Sequence, residues 1–360
     1  MAVSDQRTQQ AVKIHSPGHV GCDGGIPIPT VRPDEVLVEI KAVALNPFDA
    51  KSADLSPTVG ATAGCDFSGV VIAVGEDTRR DIALGDRVCG LVFGNNPSRT
   101  DNGAFAQFAA VPADLVMMMP AEMGFEEAAT LGVGIATVGL ALYADAQLPF
   151  PSTEKAQVLR DENRRHALVY GGSTATGALA IQLLRHAGYE VSTTCSPKSA
   201  HVAERAGAAA IFDYNSPICA DEIKERMPLK ISLAVDCITS TASMRTCYEV
   251  IDPQGGRYIS LDPFSLRGHT RRNVKPSWVL ALTIFGEAIS WSRPYARPAR
   301  PRDREFAKRW MKVAEGLLQS KAIFTHPVEM VDGGMENIAE ALDRIRRGQV
   351  SGKKLVCRVA

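Results

Sequence analysis

The sequence has no pair of cysteines at CxxC spacing and no HxxxH pair among its seven histidines. The eight cysteines, Cys22, Cys65, Cys89, Cys195, Cys219, Cys237, Cys247 and Cys357, are scattered along 360 residues. A structural zinc draws its ligands from clustered thiols or imidazoles, so no metal is expected. A chain of this length needs no disulfide staples, and reduced, mostly buried thiols are expected instead. Excess charge of either sign is also lacking. Forty basic residues balance forty acidic ones, which implies neither nucleic acid nor a membrane surface as partner. One basic cluster near Arg300 reads as a solvated loop and helix face. No apolar run reaches the ~18 residues that span a bilayer. The opening MAVSDQRTQQ lacks the apolar core of a signal peptide. A cytoplasmic protein without membrane association is expected.

The length allows two domains and a sizeable core. Residues Val31–Ala44 alternate apolar and polar after a Pro-Asp turn, the pattern of a half-buried strand. Short strands punctuated by glycine follow over Gly64–Asp77, Leu84–Gly94 and Asn102–Pro120. Together they predict a small β-barrel or sandwich. After Glu122 the spacing turns helical, interrupted by glycines. Residues 145–166 are polar, with Pro149 and Pro151, and read as an exposed insertion. From Ala167 strands and helices alternate with tight connections up to GGRYISLDP, which predicts a parallel, doubly wound sheet. A helix is expected from about Asp303, with Phe306, Trp310, Val313 and Leu317 on one face, and a last strand in GQVSGKKLVCRVA. This tail has no room for a further nucleotide unit and is expected to return to the first domain.

The turn after ALVYGG lacks the central glycine of the usual dinucleotide pattern, its place being taken by Ser173, Thr174 and Ala175. A strand feeding a helix through a glycine turn still puts free N–H groups and the helix dipole under the turn, where they favour a phosphate. The hydroxyls of Ser173, Thr174 and Thr176 are expected to add donors. The next strand lacks the closing Asp or Glu that accepts from a ribose 2′-hydroxyl in NAD sites. It ends instead in Ser196, Pro197, Lys198 and Ser199, whose ammonium and hydroxyls would attract a 2′-phosphate. The reading is NADP(H).

The order of β-rich domain, nucleotide domain and short return resembles the medium-chain dehydrogenase/reductase superfamily. ALNPFDAK, GCDFSGVVIAVG, GDRV and GAFAQF match its first-domain phrases. The zinc-dependent branch would have His-Glu after Gly64. Here Cys65 and Asp66 stand there, and the four-cysteine loop is missing, so the chain resembles the zinc-free enoyl and quinone reductases. YGGSTATGALAIQLLR, TCSPKS, FDY, DCIT, TIFGEA and SGKKLV together are similar to the fungal trans-acting enoyl reductases of polyketide and hybrid polyketide–peptide synthases.

That resemblance implies an α/β fold in which a GroES-like β-barrel catalytic domain (10–140, completed by 290–360) joins an NADP-binding Rossmann domain (141–289). It implies an NADPH-dependent enoyl reductase that reduces the α,β-double bond of a carrier-bound polyketide thioester, acting as a monomer beside a polyketide synthase. Phe48, Asp49, Ala50 and Lys51 would line the nicotinamide side. Ser173–Thr176 would hold the pyrophosphate and Ser196–Ser199 the adenosine phosphate. Tyr214 would approach the adenine or ribose, Leu261 and Asp262 the nicotinamide, and Ser351 and Gly352 would close over the cofactor. Thr137, Val138, Gly139 and Leu140, with Thr283, Ile284, Phe285, Gly286 and Glu287, would shape the substrate channel. Lys51 and Thr137 are the candidate catalytic groups. A stand-alone NADPH quinone or enone reductase and a non-catalytic NADPH-binding protein remain as alternatives.

Overall fold

The computed structural model describes residues 8–151, 165–227 and 231–359. Most of the expected insertion at 145–166 lies outside them. The chain divides into two compact units. One comprises residues 1–133, 282–319 and 325–360; the other comprises 134–281 and 320–324. The crossings thus fall seven residues before the sequence boundary at 141 and eight before that at 289.

The first unit is built on a mostly antiparallel core sheet, in which only the edge pair Val328–Val331 and Lys354–Arg358 is parallel among the described residues. Its order is Val328–Val331, Lys354–Arg358, Glu35–Ala44, Asp66–Val74, Arg87–Leu91, Val116–Met118, with Phe108–Pro112 also pairing Glu35–Ala44. Alternate residues of the long Glu35–Ala44 strand face a core that includes Val38, Ile40, Phe67, Val88 and Phe105. The tail strand Lys354–Arg358 runs antiparallel against Glu35–Ala44, pairing Val356 with Ala44. This curled sheet is the GroES-like part of the fold. The helix Pro301–Gln319 buries Phe306, Ala307, Trp310, Met311, Ala314, Leu317 and Leu318, while Val313 is only half buried beside that stripe.

Among the described residues the second unit has six strands, all parallel. Their order is Ala210–Asp213, Tyr189–Cys195, Arg165–Tyr170, Ile231–Asp236, Gly256–Ser260, Val274–Trp278. In chain order that is 3-2-1-4-5-6, the doubly wound dinucleotide arrangement, with its reversal beside Arg165–Tyr170. Leu168, Phe212, Ile223, Met244, Tyr248 and Tyr258 belong to one core cluster. Residues 320–324 pack here: Phe324 N donates to Gln182 Oε1 (2.8 Å), and Arg205 lies 4.5 Å from the Phe324 ring.

Several elements go beyond the sequence reading, among them the hairpin of Thr8–Ser16 and His19–Pro27, the helix Pro47–Leu55, the edge strand Val274–Trp278, the strand Val328–Val331 and the helix Ile338–Arg346. The helical stretch after Glu122 is three pieces, Phe125–Ala128, Gly132–Gly139 and a π-helical turn at Leu140–Asp145. Taken together, Phe125–Asp145 is long and apolar enough to cross a membrane, which corrects the expectation that no stretch qualifies. Burial of 89% of its most apolar window inside the fold is what a core helix shows. The thiols are all free, and six of the eight are buried.

Candidate active site

In the nucleotide unit, the strand Arg165–Tyr170 ends at Gly171, whose φ of +88° suits glycine. Gly171 N and Gly172 N both donate to Thr194 O (3.1 and 3.0 Å), which fastens the turn to the neighbouring strand. The buried Thr193 hydroxyl donates to Val169 O at 2.5 Å and locks the same two strands. A Cβ on Gly177 would sit 2.2 Å from Gly171 O, so glycine is what lets the helix Ala175–His186 approach the turn.

The hydroxyls of this turn divide the work differently from the sequence reading. Thr174 is the helix N-cap: its Oγ1 accepts from Gly177 N (3.0 Å) and donates to Gly171 O (2.8 Å). It shapes the cradle and has no proton left for a phosphate. Ser173 and Thr176 are half buried, and their hydroxyls make no hydrogen bond among the described residues. With the N–H groups of Ala175 and Thr176, which open the helix and have no carbonyl a turn before them, they form a donor set suited to an anion.

At the end of the second strand, Cys195 is buried, Ser196 half buried and Lys198 exposed on the short turn Pro197–Ser199. Ser199 is buried, and its N–H donates to Ser196 O. No carboxylate follows the strand. Burial pushes the Cys195 thiol up to about 11, helped by the nearby charges of Asp213 and Glu204. Asp213 Oδ1 is engaged by Asn215 N and Nδ2, both at 2.9 Å. Tyr214 is 47% exposed, its ring centroid 6.5 Å from that of Tyr170.

The loop after the fourth strand hangs on Asp236, which sequence reasoning did not single out. This fully buried carboxylate accepts from Ile238 N and Thr239 N through Oδ1, and from Ser243 Oγ (2.6 Å) and Tyr258 OH (2.8 Å) through Oδ2. Its main-chain oxygen accepts from Leu261 N (3.2 Å), and Ser260 Oγ donates to Asp262 O (2.7 Å). The strand ends carrying Leu261 and Asp262 are thereby held together. On the helix Gly132–Gly139, Thr137, Val138 and Gly139 are all buried, as is Leu140 at the start of the π-helical turn. Such turns recur at functional positions.

In the first unit, the helix Pro47–Leu55 brings Phe48 to a half-buried position and Lys51 to the surface, while Ala50 and Asp49 turn inward. Asp49 Oδ2 accepts from Asn46 N at 2.7 Å and caps this helix. Burial, reinforced by Asp66, pushes its carboxyl up to about 7. Asn46 Nδ2 also donates to Asp66 Oδ2 (3.0 Å), and Lys354 Nζ reaches the same oxygen at 2.5 Å. Val133 N donates to Asp66 Oδ1 (2.5 Å). An ammonium thus neutralises the acid that follows Cys65. Among the described residues no three His, Cys, Asp or Glu side chains are grouped to hold a metal.

Thr283 and Ile284 are buried, Phe285 and Gly286 half buried, and Glu287 pairs with Arg32 at 2.8 Å. Phe285 belongs to an aromatic chain in this unit that the sequence reading missed. Ring centroids lie 5.9 Å apart for Phe285 and Phe93, 5.7 Å for Phe93 and Trp291, and 5.5 Å for Trp291 and Phe48. Such contacts make a rigid apolar wall, and Trp291 Nε1 donates to Asn95 O (2.9 Å), fixing the indole. Ser351 is exposed, and Gly352, at φ +66°, precedes Lys354.

The family models match two parts of the chain: the alcohol dehydrogenase GroES-like domain at residues 32–121 and the zinc-binding dehydrogenase at 175–286. The chain is 48% identical to the trans-enoyl reductase opdC of Penicillium oxalicum, over 97% of its own length and 96% of that protein. It is 45% identical to the trans-enoyl reductase apdC of Emericella nidulans, over 98% of each. Among solved structures, the CurK enoyl reductase superposes with a TM-score of 0.76 at 18% identity, covering 99% of this chain and all of that one. A putative zinc-dependent alcohol dehydrogenase of Rhizobium etli gives 0.79 at 21% identity, covering 98% of this chain and 99% of that one.

Proposed function

This chain belongs to the trans-enoyl reductases of the medium-chain dehydrogenase/reductase superfamily, and from that premise we propose that it uses NADPH to reduce the α,β-double bond of an enoyl thioester carried by a polyketide synthase. The observation that carries the reading is the phosphate cradle. Ser173 and Thr176 offer hydroxyls there in place of a glycine, and the second strand closes on Ser196 and Lys198 rather than on a carboxylate. The donors fit a pyrophosphate and a 2′-phosphate.

Bound NADPH supplies the hydride that reaches the β-carbon of the thioester. The chain's own groups do the rest. Ser173, Ala175 and Thr176 hold the pyrophosphate, Ser196 and Lys198 the 2′-phosphate, and Tyr214 offers an aromatic face to the adenine. Leu261 and Asp262 are proposed for the nicotinamide, as are Phe48, Ala50, Ser351 and Gly352. Asp49 acts behind them through its cap on their helix. Thr137–Leu140 and Thr283–Glu287 shape the acyl channel. Lys51 stabilises negative charge on the thioester oxygen or returns a proton, and Thr137 donates a hydrogen bond. We place the enzyme in the cytoplasm, where eight free thiols are at home, acting as a monomer beside its synthase.

Nicotinamide absorbance gives the test. An enoyl pantetheine thioester should oxidise NADPH at a rate well above that with NADH. Turnover of a quinone alone would shift the assignment to a quinone reductase, and tight NADPH binding without turnover of either would remove catalysis from it.

A further inference from the structure

The overall charge of zero conceals an uneven distribution. Residues 292–302 read SRPYARPARPR: four arginines, three prolines and no acidic residue. A solvated surface needs no such crowding, and the structure shows an ordered segment rather than a loose one. Arg297 N donates to Ile289 O (3.0 Å), Ile289 N donates to Arg297 O (2.9 Å), and Arg300 N donates to Gly286 O (3.0 Å). Arg297 Nη1 donates to Pro294 O (2.7 Å) and Ala296 O (2.8 Å). The prolines restrict φ, so little conformational freedom remains to be lost on binding.

The arginine heads are differently placed. That of Arg297 is spent on the loop itself. The Arg300 guanidinium is half exposed and only 3.7 Å from Asp303. Arg293 and Arg302 are exposed and make no ion pair among the described residues. Like charges are close enough that Arg300 depresses the Arg297 guanidinium, after burial. The patch is compact, because Arg304 beyond it is turned to Asp114 (2.5 Å) and Asp34 (3.8 Å). Those acids would repel an extended polyanion such as nucleic acid. The same loop is stitched to Gly286 and Ile289, next to the segment assigned to the acyl channel.

We infer that the Arg293–Arg302 segment, a loop running into the first turn of the helix Pro301–Gln319, is the docking surface for the anionic carrier domain that delivers the enoyl thioester. A thioester on a carrier hangs from a phosphodiester, and guanidinium groups pair with phosphate and carboxylate oxygens in two-pronged fashion. Arg293 and Arg302 meet that phosphodiester and the acidic side chains around it. The inference rests on the reductase reading above, and it names what that site recognises besides the acyl chain.

The test compares two substrates bearing one acyl group, a carrier-domain thioester and a free pantetheine thioester without phosphate. In the double variant Arg293→Glu with Arg302→Glu, KM for the carrier-bound substrate should rise about tenfold or more with kcat little changed. KM for the free thioester should stay within about twofold, which also shows that the variant is folded. Added salt should weaken the carrier reaction of the wild type and not that of the variant. Equal KM for the carrier substrate in both proteins overturns the inference, as does an equal loss on both substrates. So does salt-sensitive binding of an oligonucleotide by the wild type that the variant loses while its carrier kinetics are unchanged. A wild type inactive on either thioester would instead sink the reductase reading itself.

Discussion

Lys354 Nζ lies 2.5 Å from Asp66 Oδ2, with the lysine side chain 5% exposed and the aspartate fully enclosed. The pair joins the last strand of the first unit to the strand that follows Gly64. Asn46 and Thr130 complete it, the first donating to the carboxylate and the second accepting from the ammonium (3.2 Å). A buried ion pair gains little over an apolar substitute, but its rupture strands one charge. Lys354→Met should therefore lower unfolding stability by roughly 3–5 kcal/mol. The double variant with Asp66→Asn should recover part of that loss, and urea titration of the three proteins measures both effects.

Asp49 makes a pH-dependent contribution of the opposite kind. Its carboxyl is held at about 7 in the fold, chiefly by burial, against an ordinary 3.8. Below the ordinary value both states are protonated and nothing is lost. As pH rises towards 7 the unfolded chain gives up its proton while the fold keeps it, and stability drains away until the folded group also ionises. Replacing Asp49 with Asn keeps an acceptor for Asn46 N and removes the titration. Relative to the wild type, the variant should gain roughly 2–4 kcal/mol between pH 4 and pH 8. Equal pH profiles of urea midpoint would count against it.

Lys198 is expected to read the 2′-phosphate. Lys198→Ala should weaken NADPH binding by about tenfold and leave NADH binding unchanged, as the loss of one charge-assisted contact implies. Isothermal titration with both nucleotides checks this. An equal loss for each would assign the lysine to the general fold of the turn.

Gly177 tests the cradle itself. Its Cβ position is 2.2 Å from Gly171 O, a main-chain atom that cannot swing aside. Gly177→Ala should cost about 1–3 kcal/mol through overpacking. Thr174→Ala, which only removes the cap, should cost about 1 kcal/mol. Cofactor affinity should fall more steeply in the glycine variant, because its turn must open.

The legible parts of this protein are those where a local signal had one meaning. Alternation over Glu35–Ala44 and the succession of strand, glycine turn and helix from Arg165 to Ser260 gave the sheets their character. Val274–Trp278 escaped because Pro276 breaks its pattern, and proline is tolerated there since the strand is an edge. The helix Ile338–Arg346 carries Ile338, Ala341, Leu342 and Ile345 at helical spacing, a signal that was present and not read. Within the site, the hydroxyl-rich turn was visible, but not which hydroxyl would be consumed. Thr174 and Ser173 are adjacent and chemically alike, and only the N-cap geometry separates them. Asp236 looked like any turn acid after a strand, since the four donors it collects come from residues up to 22 positions away. Phe93 and Trp291 were invisible for the same reason, being far apart in sequence.

The partner of Asp66 arrives 288 residues after it. During synthesis the strand that carries Asp66 must wait for those residues before its buried acid is neutralised and its sheet gains the Lys354–Arg358 strand. The nucleotide-binding half, whose six strands all lie between 165 and 278, is translated in the interval. The unit that holds Asp66 is thus completed only after the nucleotide-binding strands have been made.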